Sequence, residues 1–331
     1  MFLLLSLLSV LCASLPMLAF LMLVWFMDRH DREPLWLFLL TFLWGACGAV
    51  SFALIGNETL VGVLGFLVGE ARANTFAALI VAPLVEEPMK ALVLFAVMFS
   101  RHFDNATDGF VYGAAAGLGF GMTENFFYFV NVAASGDVMG WVLTVFIRTF
   151  FSAVMHACAT SCVGAMLGFA RFRGLGWKIA ALPIGFGFAV GIHAVWNGML
   201  TVGDIVGNEA YMFANLGLFL LEFVVLVAVF QLALWEERAT IRRELADEVQ
   251  RQLLPLNHAR NAGSWLRRSR PGWVPAGIPQ GQYVQALTRL ALRKHQARNA
   301  SKVAYSFYSE EVVRLRHEVK SLLALARPAV G

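Results

Sequence analysis

Charged residues are scarce in this chain: Asp, Glu, Lys and Arg make up 15% of its 331 residues, whereas hydrophobic residues make up 59%. A soluble domain usually has about 25% charged and about 45–50% apolar residues. The composition therefore excludes an ordinary soluble domain and indicates a membrane protein. The few charges are also unevenly distributed, because residues 236–331 hold 17 of the 26 Lys and Arg but 8 of the 22 Asp and Glu. We expect a transmembrane domain at 1–235 and a basic, mostly helical cytoplasmic tail at 236–331.

Cysteine is also rare, with four residues that all fall within apolar stretches: Cys12, Cys47, Cys158 and Cys162. Cys158 and Cys162 would share a helix face, but no second Cys or His pair stands at the spacing of a structural zinc site. We interpret all four as small core residues and expect no disulfide.

The first segment lacks the basic start and the short apolar run of a signal peptide, so it is expected to be a retained helix. Taking about 20 apolar residues as the length needed to cross a bilayer, the sequence predicts an all-α, polytopic membrane bundle of about seven spans. They cover residues 2–27, 35–55, 76–99, 109–132, 148–170, 177–200 and 211–235. The apolar stretch 60–68 is too short to cross, and we expect it to lie at the surface or to re-enter.

Basic residues in the short loops indicate the orientation, since they concentrate on the cytoplasmic side. With the tail inside, the outer connections hold Arg72, Arg148 at a segment edge, and otherwise acidic residues. The inner loops hold Arg29, Arg32, Arg101, Arg171, Arg173 and Lys178. The protein is therefore predicted to lie in the inner (plasma) membrane with its N-terminus outside and its C-terminus in the cytoplasm.

Ionisable residues interrupt four of the predicted spans: Glu86, Glu87, Lys90, Glu124, His156 and His193. A charge at membrane depth costs at least roughly 2.5–3.5 kcal/mol, so it persists mainly where it faces a cavity or a partner. At a rise of about 1.5 Å per residue, the carboxylates and histidines lie about 11–15 Å below the outer ends of their spans. We expect one polar site near the midplane, displaced toward the outer leaflet. Glu and His together suit metal-assisted or general-base hydrolysis.

Helical spacing indicates what some of these residues do. Lys90 follows Glu86 by four residues and Glu87 by three, so it can neutralise one carboxylate while the other stays available. His193 and Asn197 share a helix face. Asn197 could therefore donate a hydrogen bond to a substrate carbonyl or a developing oxyanion.

Other polar or small positions have structural interpretations. Glu222 lies in the last span without a motif, and we expect it to pair with Lys90 or Arg148. Asp108 stands at a helix start, where capping explains it. The glycine-rich stretch 113–121 permits close helix packing.

The ordered motifs resemble the PrsW family of intramembrane metalloproteases, related more distantly to the CAAX-prenyl protease and Abi groups. The resemblance covers roughly residues 28–200 and leaves 236–331 outside. Its last motif ends here in Asn197, where the family has Asn or Asp. The matching segments are Asp31-Arg-Glu-Pro-Leu-Trp, Glu86-Glu-Pro-Met-Lys90, Asp108 through Glu124-Asn125, His156-Ala and His193-Ala-Val-Trp-Asn197.

The resemblance implies hydrolysis of a peptide bond in or near the transmembrane segment of a single-pass membrane protein, such as an anti-sigma factor. It implies Glu86 as general base and Glu87 as the residue that orients it or pairs with Lys90. A metal, Zn²⁺ by default, would be held by Glu124, His156 and His193. A metal-free version, in which Glu and His activate water directly, stays open. The alternative is a non-enzymatic scaffold or a transporter with a buried charged site, although the chain lacks the repeated halves of many transporters.

The sequence of the tail predicts a charged helix at 236–252, then a basic, turn-rich segment, and then amphipathic helices at 282–298 and 309–327. One stripe of the last helix is apolar, with Val312, Leu315, Val319, Leu322 and Leu323. A basic segment beside a membrane usually contacts the anionic inner leaflet, and we expect the same here. The tail lacks an aromatic platform or a DNA-binding motif, so nucleic acid is not an expected partner.

Overall fold

The computed structural model describes residues 1–28, 30–100, 102–300 and 302–326, and this part of the chain is helical without strands. The predicted all-α class is therefore confirmed. Helices suit the long apolar runs because each satisfies its own backbone polar groups, as a lipid environment requires. Arg29, Arg101 and Arg327, which entered the predictions of orientation and of the last helix, lie outside the described residues.

Seven helices occupy the predicted membrane domain. They are α1 (Phe2–Met27), α2 (Leu35–Val68), α3 (70–97), α4 (Ala106–Ser135), α5 (Val138–Ala170), α6 (Leu175–Val206) and α7 (Ala210–Gln250). Within the described residues, five are long and apolar enough to cross a membrane, namely α1, α2, α5, α6 and α7. The other two carry the charged Glu-Glu motif (α3) and the glycine-rich stretch (α4).

Several helices are longer than predicted. α2 continues through 60–68 and ends before Gly69, whose φ is 87°, so this stretch is the end of α2 and the expectation that it re-enters is wrong. The apolar segment Val138–Ile147 extends α5 beyond Arg148, which therefore lies inside a helix and not at its edge. Measured from the observed helix ends, the four site positions lie about 17–27 Å along their helices. The predicted agreement at 11–15 Å is not reproduced.

Three helices each contain one π-helical segment: Trp44–Ala49 in α2, Ala77–Val81 in α3 and Arg148–Ser152 in α5. In each segment a side chain from another helix donates to a backbone carbonyl oxygen. The donors are Thr123 to Ala46 at 2.7 Å, Asn197 to Ala78 at 3.1 Å and Asn125 to Arg148 at 3.2 Å. Single π-helical turns occur often at functional sites. Two of these three segments lie on α3 and α5, the helices that carry Glu86 and His156.

Glycines on α4 allow its backbone to touch that of α5, as the sequence predicted. A Cβ on Gly117 would overlap the carbonyl oxygen of His156, and one on Gly109 would overlap that of Gly164. This contact fixes the height of His156 against α4. Asp108 and Asn105 form a capping box at the start of α4, which confirms the structural interpretation of Asp108.

The chain divides into two compact units. The first comprises Met1–Met27 and Glu33–Phe230, here called the membrane body; the second comprises Asp28–Arg32 and the chain from Gln231 onward, here called the C-terminal unit. After α7, the C-terminal unit contains α8 (Leu256–Ala262), α9 (Trp265–Arg268), α10 (Gln280–Asn299) and α11 (Lys302–Leu323).

The C-terminal unit has its own hydrophobic core. Tyr283, Leu287 and Leu290 of α10 are fully buried in it, together with Ile241 and Leu245 of α7. The predicted apolar stripe of α11 packs into the same core, with Val312, Leu315 and Val319 buried and Leu322 and Leu323 against it. This region is thus a folded helical unit and not a set of separate amphipathic helices.

The cysteines have free thiols. Cys158 is buried, but Cys12 and Cys162 are half-buried and Cys47 is exposed. The core interpretation therefore holds for Cys158 and is wrong for Cys47, because an apolar stretch of a membrane helix also has a face directed away from the protein.

Candidate functional site

Four helices of the membrane body bring the predicted polar residues together. α3 carries Glu86, Glu87 and Lys90, α4 carries Glu124, α5 carries His156, and α6 carries His193 and Asn197. All except Asn197 belong to one connected set of hydrogen bonds and ion pairs, described below.

Lys90 lies at the centre and is fully buried. Its Nζ is 2.8 Å from Glu87 Oε1, 3.4 Å from Glu86 Oε2 and 2.9 Å from His156 Nδ1. The ammonium group also lies 4.0 Å from the centre of the Phe120 ring. A lysine has three hydrogens to donate, and Lys90 thus connects both carboxylates of its motif to a histidine on another helix.

Glu87 is enclosed, with 0% of its surface exposed. Its Oε1 is 2.8 Å from His193 Nδ1 as well as from Lys90, and its Oε2 accepts a hydrogen bond from Thr160 at 3.1 Å. A carboxylate on Nδ1 fixes the tautomer and orientation of a histidine. Glu87 therefore directs the other nitrogen of His193, Nε2, toward Glu86, whose Oε2 is 3.8 Å away.

Glu124 is held between two partners. Its Oε2 lies 2.8 Å from Arg148 Nη2 and 2.7 Å from His156 Nε2. Arg148 is fixed in turn, since its Nε donates to Asn125 Oδ1 at 3.1 Å and its guanidinium lies 3.5 Å from the centre of the Tyr128 ring.

Glu222 does not take part in this network. Lys90 and Arg148 are engaged as just described, and within the described chain Glu222 makes no ion pair. The prediction that it pairs with one of them is therefore wrong, because partners from α3, α4 and α5 already surround both cations.

A cavity of about 550 Å³ lies against one side of the network. Among its lining residues are Glu86, Glu124, Arg148, His156 and Asn197. Glu87, Lys90 and His193 are not among them and lie behind this first layer. Asn57 on α2 and Asp204 on α6 continue the polar lining, so the carboxylate of Glu86 faces a space that also holds polar groups.

Glu86, His156 and His193 form a set that can hold a metal ion, because their ligand atoms all lie within 4.8 Å of one another. One carboxylate and two imidazoles form a donor set that zinc commonly takes, so the residues fit a divalent metal. This set shares both histidines with the predicted one and has Glu86 in place of Glu124. Both ring nitrogens of His156 are engaged, by Lys90 and by Glu124, so binding would replace one of those contacts.

Asn197 lines the cavity, but one of its amide hydrogens goes to the Ala78 carbonyl oxygen, 3.1 Å from Nδ2. An amide nitrogen carries two hydrogens, which leaves one for a carbonyl group in the cavity.

Three residues that shape the site were not predicted from the sequence as site residues. Asn57 donates to Glu86 Oε1 at 3.3 Å, Thr160 holds Glu87, and Arg148 holds Glu124. Arg148 could have been found, because the apolar run continues on both sides of it. Asn57 interrupts an apolar run in the same way, whereas Thr160 has no distinguishing signal.

Comparisons with known proteins agree with the motifs. A family model described as PrsW family intramembrane metalloprotease matches residues 33–233. The chain is 32% identical over 134 residues to Protease PrsW of Clostridioides difficile (strain 630), which covers 39% of this chain and 55% of that relative. The chain thus spans about half the length of this relative.

Two further relatives match over longer stretches. Identity to Protease PrsW of Bacillus subtilis (strain 168) is 25% over 187 residues, 56% of this chain and 79% of that relative. Identity to Protease PrsW of Oceanobacillus iheyensis is 27% over 197 residues, 58% of this chain and 83% of that relative. No solved structure matches the chain. Since the family model covers more than half of the chain, including every residue of the polar network, the chain belongs to the PrsW family of intramembrane metalloproteases.

Proposed function

We propose that this protein hydrolyses a peptide bond in or beside the transmembrane segment of a single-pass membrane protein, with Glu86 as the carboxylate that takes a proton from water. Substrate and water would meet in the 550 Å³ cavity that Glu86 lines. The family resemblance implies a membrane-anchored anti-sigma factor as the substrate class.

The observation that carries this proposal is the difference between the three carboxylates. Glu87 is enclosed by Lys90, His193 and Thr160, all within 3.1 Å. Glu124 is held at 2.7 and 2.8 Å by its two partners. Glu86 has longer contacts, between 3.3 and 3.8 Å, and faces the cavity. A weakly engaged carboxylate beside a space open to water is suited to general-base catalysis.

The neighbouring residues would prepare Glu86 for this role. Lys90 moderates the charge repulsion between Glu86 and Glu87, and Glu87 holds His193 with its Nε2 toward Glu86. The second amide hydrogen of Asn197 would support the oxygen of the substrate carbonyl as negative charge develops there.

A resident zinc ion would be held by His156 and His193 with a carboxylate as third ligand, and it would polarise the substrate carbonyl and lower the pKa of a bound water. In the ligand set that the sequence predicts, Glu124 is this carboxylate and Glu86 remains the base. In the alternative set, Glu86 is the third ligand. The metal content of single variants separates the two sets: with Glu86 as the base, we expect Glu86→Gln to keep metal and Glu124→Gln to lose it, and the reverse result would make Glu86 a ligand and overturn its role as the base.

We also propose a topology of seven spans with the N-terminus outside and the C-terminal unit in the cytoplasm, in the plasma membrane. The α3 and α4 helices would then span as well, with their charged and glycine-rich faces covered by neighbouring helices. Labelling of single-Cys variants from either side tests this: a cysteine near Asp204 should react from outside and one at Arg171 should not.

The deciding experiment measures cleavage of a reconstituted single-pass substrate by Glu86→Gln, with Glu222→Gln as the matched control. Both changes remove one carboxylate within a membrane helix, but Glu222 makes no ion pair with any described residue and does not line the cavity, whereas Glu86 does both. Loss of a general base typically lowers the rate by about 10²–10⁴-fold, and we expect that loss for Glu86→Gln alone. Equal activity of the two variants would refute the assignment.

A further inference from the structure

Three arginines of the C-terminal unit lie close together. Arg238 and Arg242 are one turn apart on α7, so their side chains leave the same helix face. The stem of Arg242 packs over Gly263, where a Cβ would lie 2.6 Å from the Arg242 Cγ. Arg267 belongs to α9, which begins two residues after Gly263, and both Arg238 and Arg267 are within electrostatic range of Arg242. We call these three residues the arginine cluster.

Among the residues that the structure describes, no acidic side chain pairs with the arginine cluster. Within the described chain, none of its members makes an ion pair or a side-chain hydrogen bond, and the Nε of Arg238 is buried without a partner. Other arginines of the unit are paired, as in Arg316 with Glu248 at 2.7 Å and Arg298 with Glu244 at 3.2 Å. Three unpaired guanidinium groups repel one another, and a bound anion would relieve that repulsion.

Two residues of the C-terminal unit closely follow apolar helices in the sequence. Arg238 follows the predicted end of the last span by three residues. Its neighbour Glu237 is 3.0 Å from His30, which follows the end of α1 by three residues. The Nη2 of Arg268 donates to the His30 carbonyl oxygen at 3.1 Å and thereby links α9 to the segment Asp28–Arg32. The headgroups of a bilayer begin where such apolar helices end.

We propose that Arg238, Arg242 and Arg267 form a binding site for the phosphate group of an anionic membrane lipid. The planar guanidinium group presents paired N–H donors that match the oxygens of a phosphate, which an ammonium group does not. Leu266, which precedes Arg267 in the sequence, is exposed and would be available for an apolar contact with the lipid. The site would bind one headgroup per chain, in contrast to diffuse attraction of a basic tail to the leaflet.

The test uses the full chain in a neutral detergent. Native mass spectrometry measures the binding of short-chain phosphatidylglycerol, short-chain phosphatidylcholine and inorganic phosphate. We expect one phosphatidylglycerol per chain and no comparable binding of phosphatidylcholine. Arg242→Gln with Arg267→Gln should weaken phosphatidylglycerol binding about 30-fold. Arg314→Gln with Lys320→Gln, which removes the same charge from α11, should leave binding unchanged.

Three outcomes would overturn the proposal: equal weakening by both double variants, equal binding of the two lipids, or free phosphate binding as tightly as phosphatidylglycerol. The last would show a site for soluble anions instead of lipid. Arg242→Lys with Arg267→Lys keeps the charge and should lose part of the affinity, since the paired donors are removed. If the glutamine pair misfolds by circular dichroism, Arg267→Gln alone replaces it, because this side chain is exposed.

Discussion

The membrane body and the C-terminal unit each bury a network of carboxylates and cations. In the membrane body, Glu87 is fully buried and held by Lys90 at 2.8 Å. In the C-terminal unit, Glu248 is also fully buried and is contacted by Lys294 at 2.5 Å and Arg316 at 2.7 Å. The two carboxylates are thus matched in burial and in having a lysine partner.

The surroundings of the two networks differ. The network of the membrane body includes two histidines and borders a cavity through Glu86, whose contacts are long. In the network around Glu248 the acidic residues pair with lysine and arginine, and Lys294 also donates to the Glu244 carbonyl oxygen at 2.7 Å. A buried charged network therefore does not by itself indicate an active site. A loosely held carboxylate beside an open space, supported by tightly held ones, distinguishes a candidate active site from a structural ion-pair network.

Glu87→Gln is the strongest test of the difference between the two networks. The amide cannot hold His193 as the carboxylate does, and we expect cleavage of a reconstituted substrate to slow about 100-fold, as for loss of a residue that orients a ligand. Thr160→Val removes one hydrogen bond to the same carboxylate and should have a smaller effect in the same direction. Unchanged turnover in Glu87→Gln would show that this carboxylate is structural, like Glu248.

The counterpart is Glu248→Gln in the C-terminal unit. Loss of the charge leaves Lys294 and Arg316 with a weaker partner, and we expect local stability to fall by about 2 kcal/mol. Hydrogen exchange of the α10 amides in the full chain should report this loss, while cleavage activity stays at the level of the unaltered protein. A loss of activity with unchanged exchange would contradict the structural interpretation.

Arg148→Lys tests whether the position of Glu124 matters. Lysine keeps the charge but loses the hydrogen bond to Asn125 and the stacking on Tyr128, so we expect kcat to fall about tenfold, the equivalent of one hydrogen bond. Arg173→Lys is the control, because Arg173 also lies over an aromatic ring, 3.8 Å from the centre of Phe169, but does not line the cavity. Similar losses in both variants would point to a general effect on the fold.

The smallest expected effect concerns pH. Burial beside Tyr283 lowers the pKa of His258 from its ordinary value of 6.5, so the folded C-terminal unit favours the neutral imidazole. Its contribution to stability is present above the unfolded pKa and is lost as pH falls through the folded one. The protection of the α10 amides against hydrogen exchange, measured relative to the intrinsic exchange rate at each pH, should therefore fall between pH 7.5 and pH 5 more in the unaltered chain than in His258→Gln. His317→Gln, at an exposed position of α11, should behave like the unaltered chain.

The sequence alone determined the all-helical class, the set of polar residues and the family. Apolar length requires helices in a lipid environment, and charges that are costly at membrane depth stand out in any apolar run. The sequence also placed Glu86, Glu124, His156 and His193 together, because four helices in one bundle can bury such groups only against one another.

Only the tertiary structure decided how these residues share their contacts. Which carboxylate is enclosed and which faces the cavity depends on the rotation of α3, and adjacent residues such as Glu86 and Glu87 carry no sequence signal for that choice. The π-helical segments and the position of Arg148 inside α5 depend on contacts between helices. The packed core of the C-terminal unit was likewise decided by the tertiary structure. An amphipathic stripe predicts that one face of a helix is buried, but it does not predict which surface covers that face.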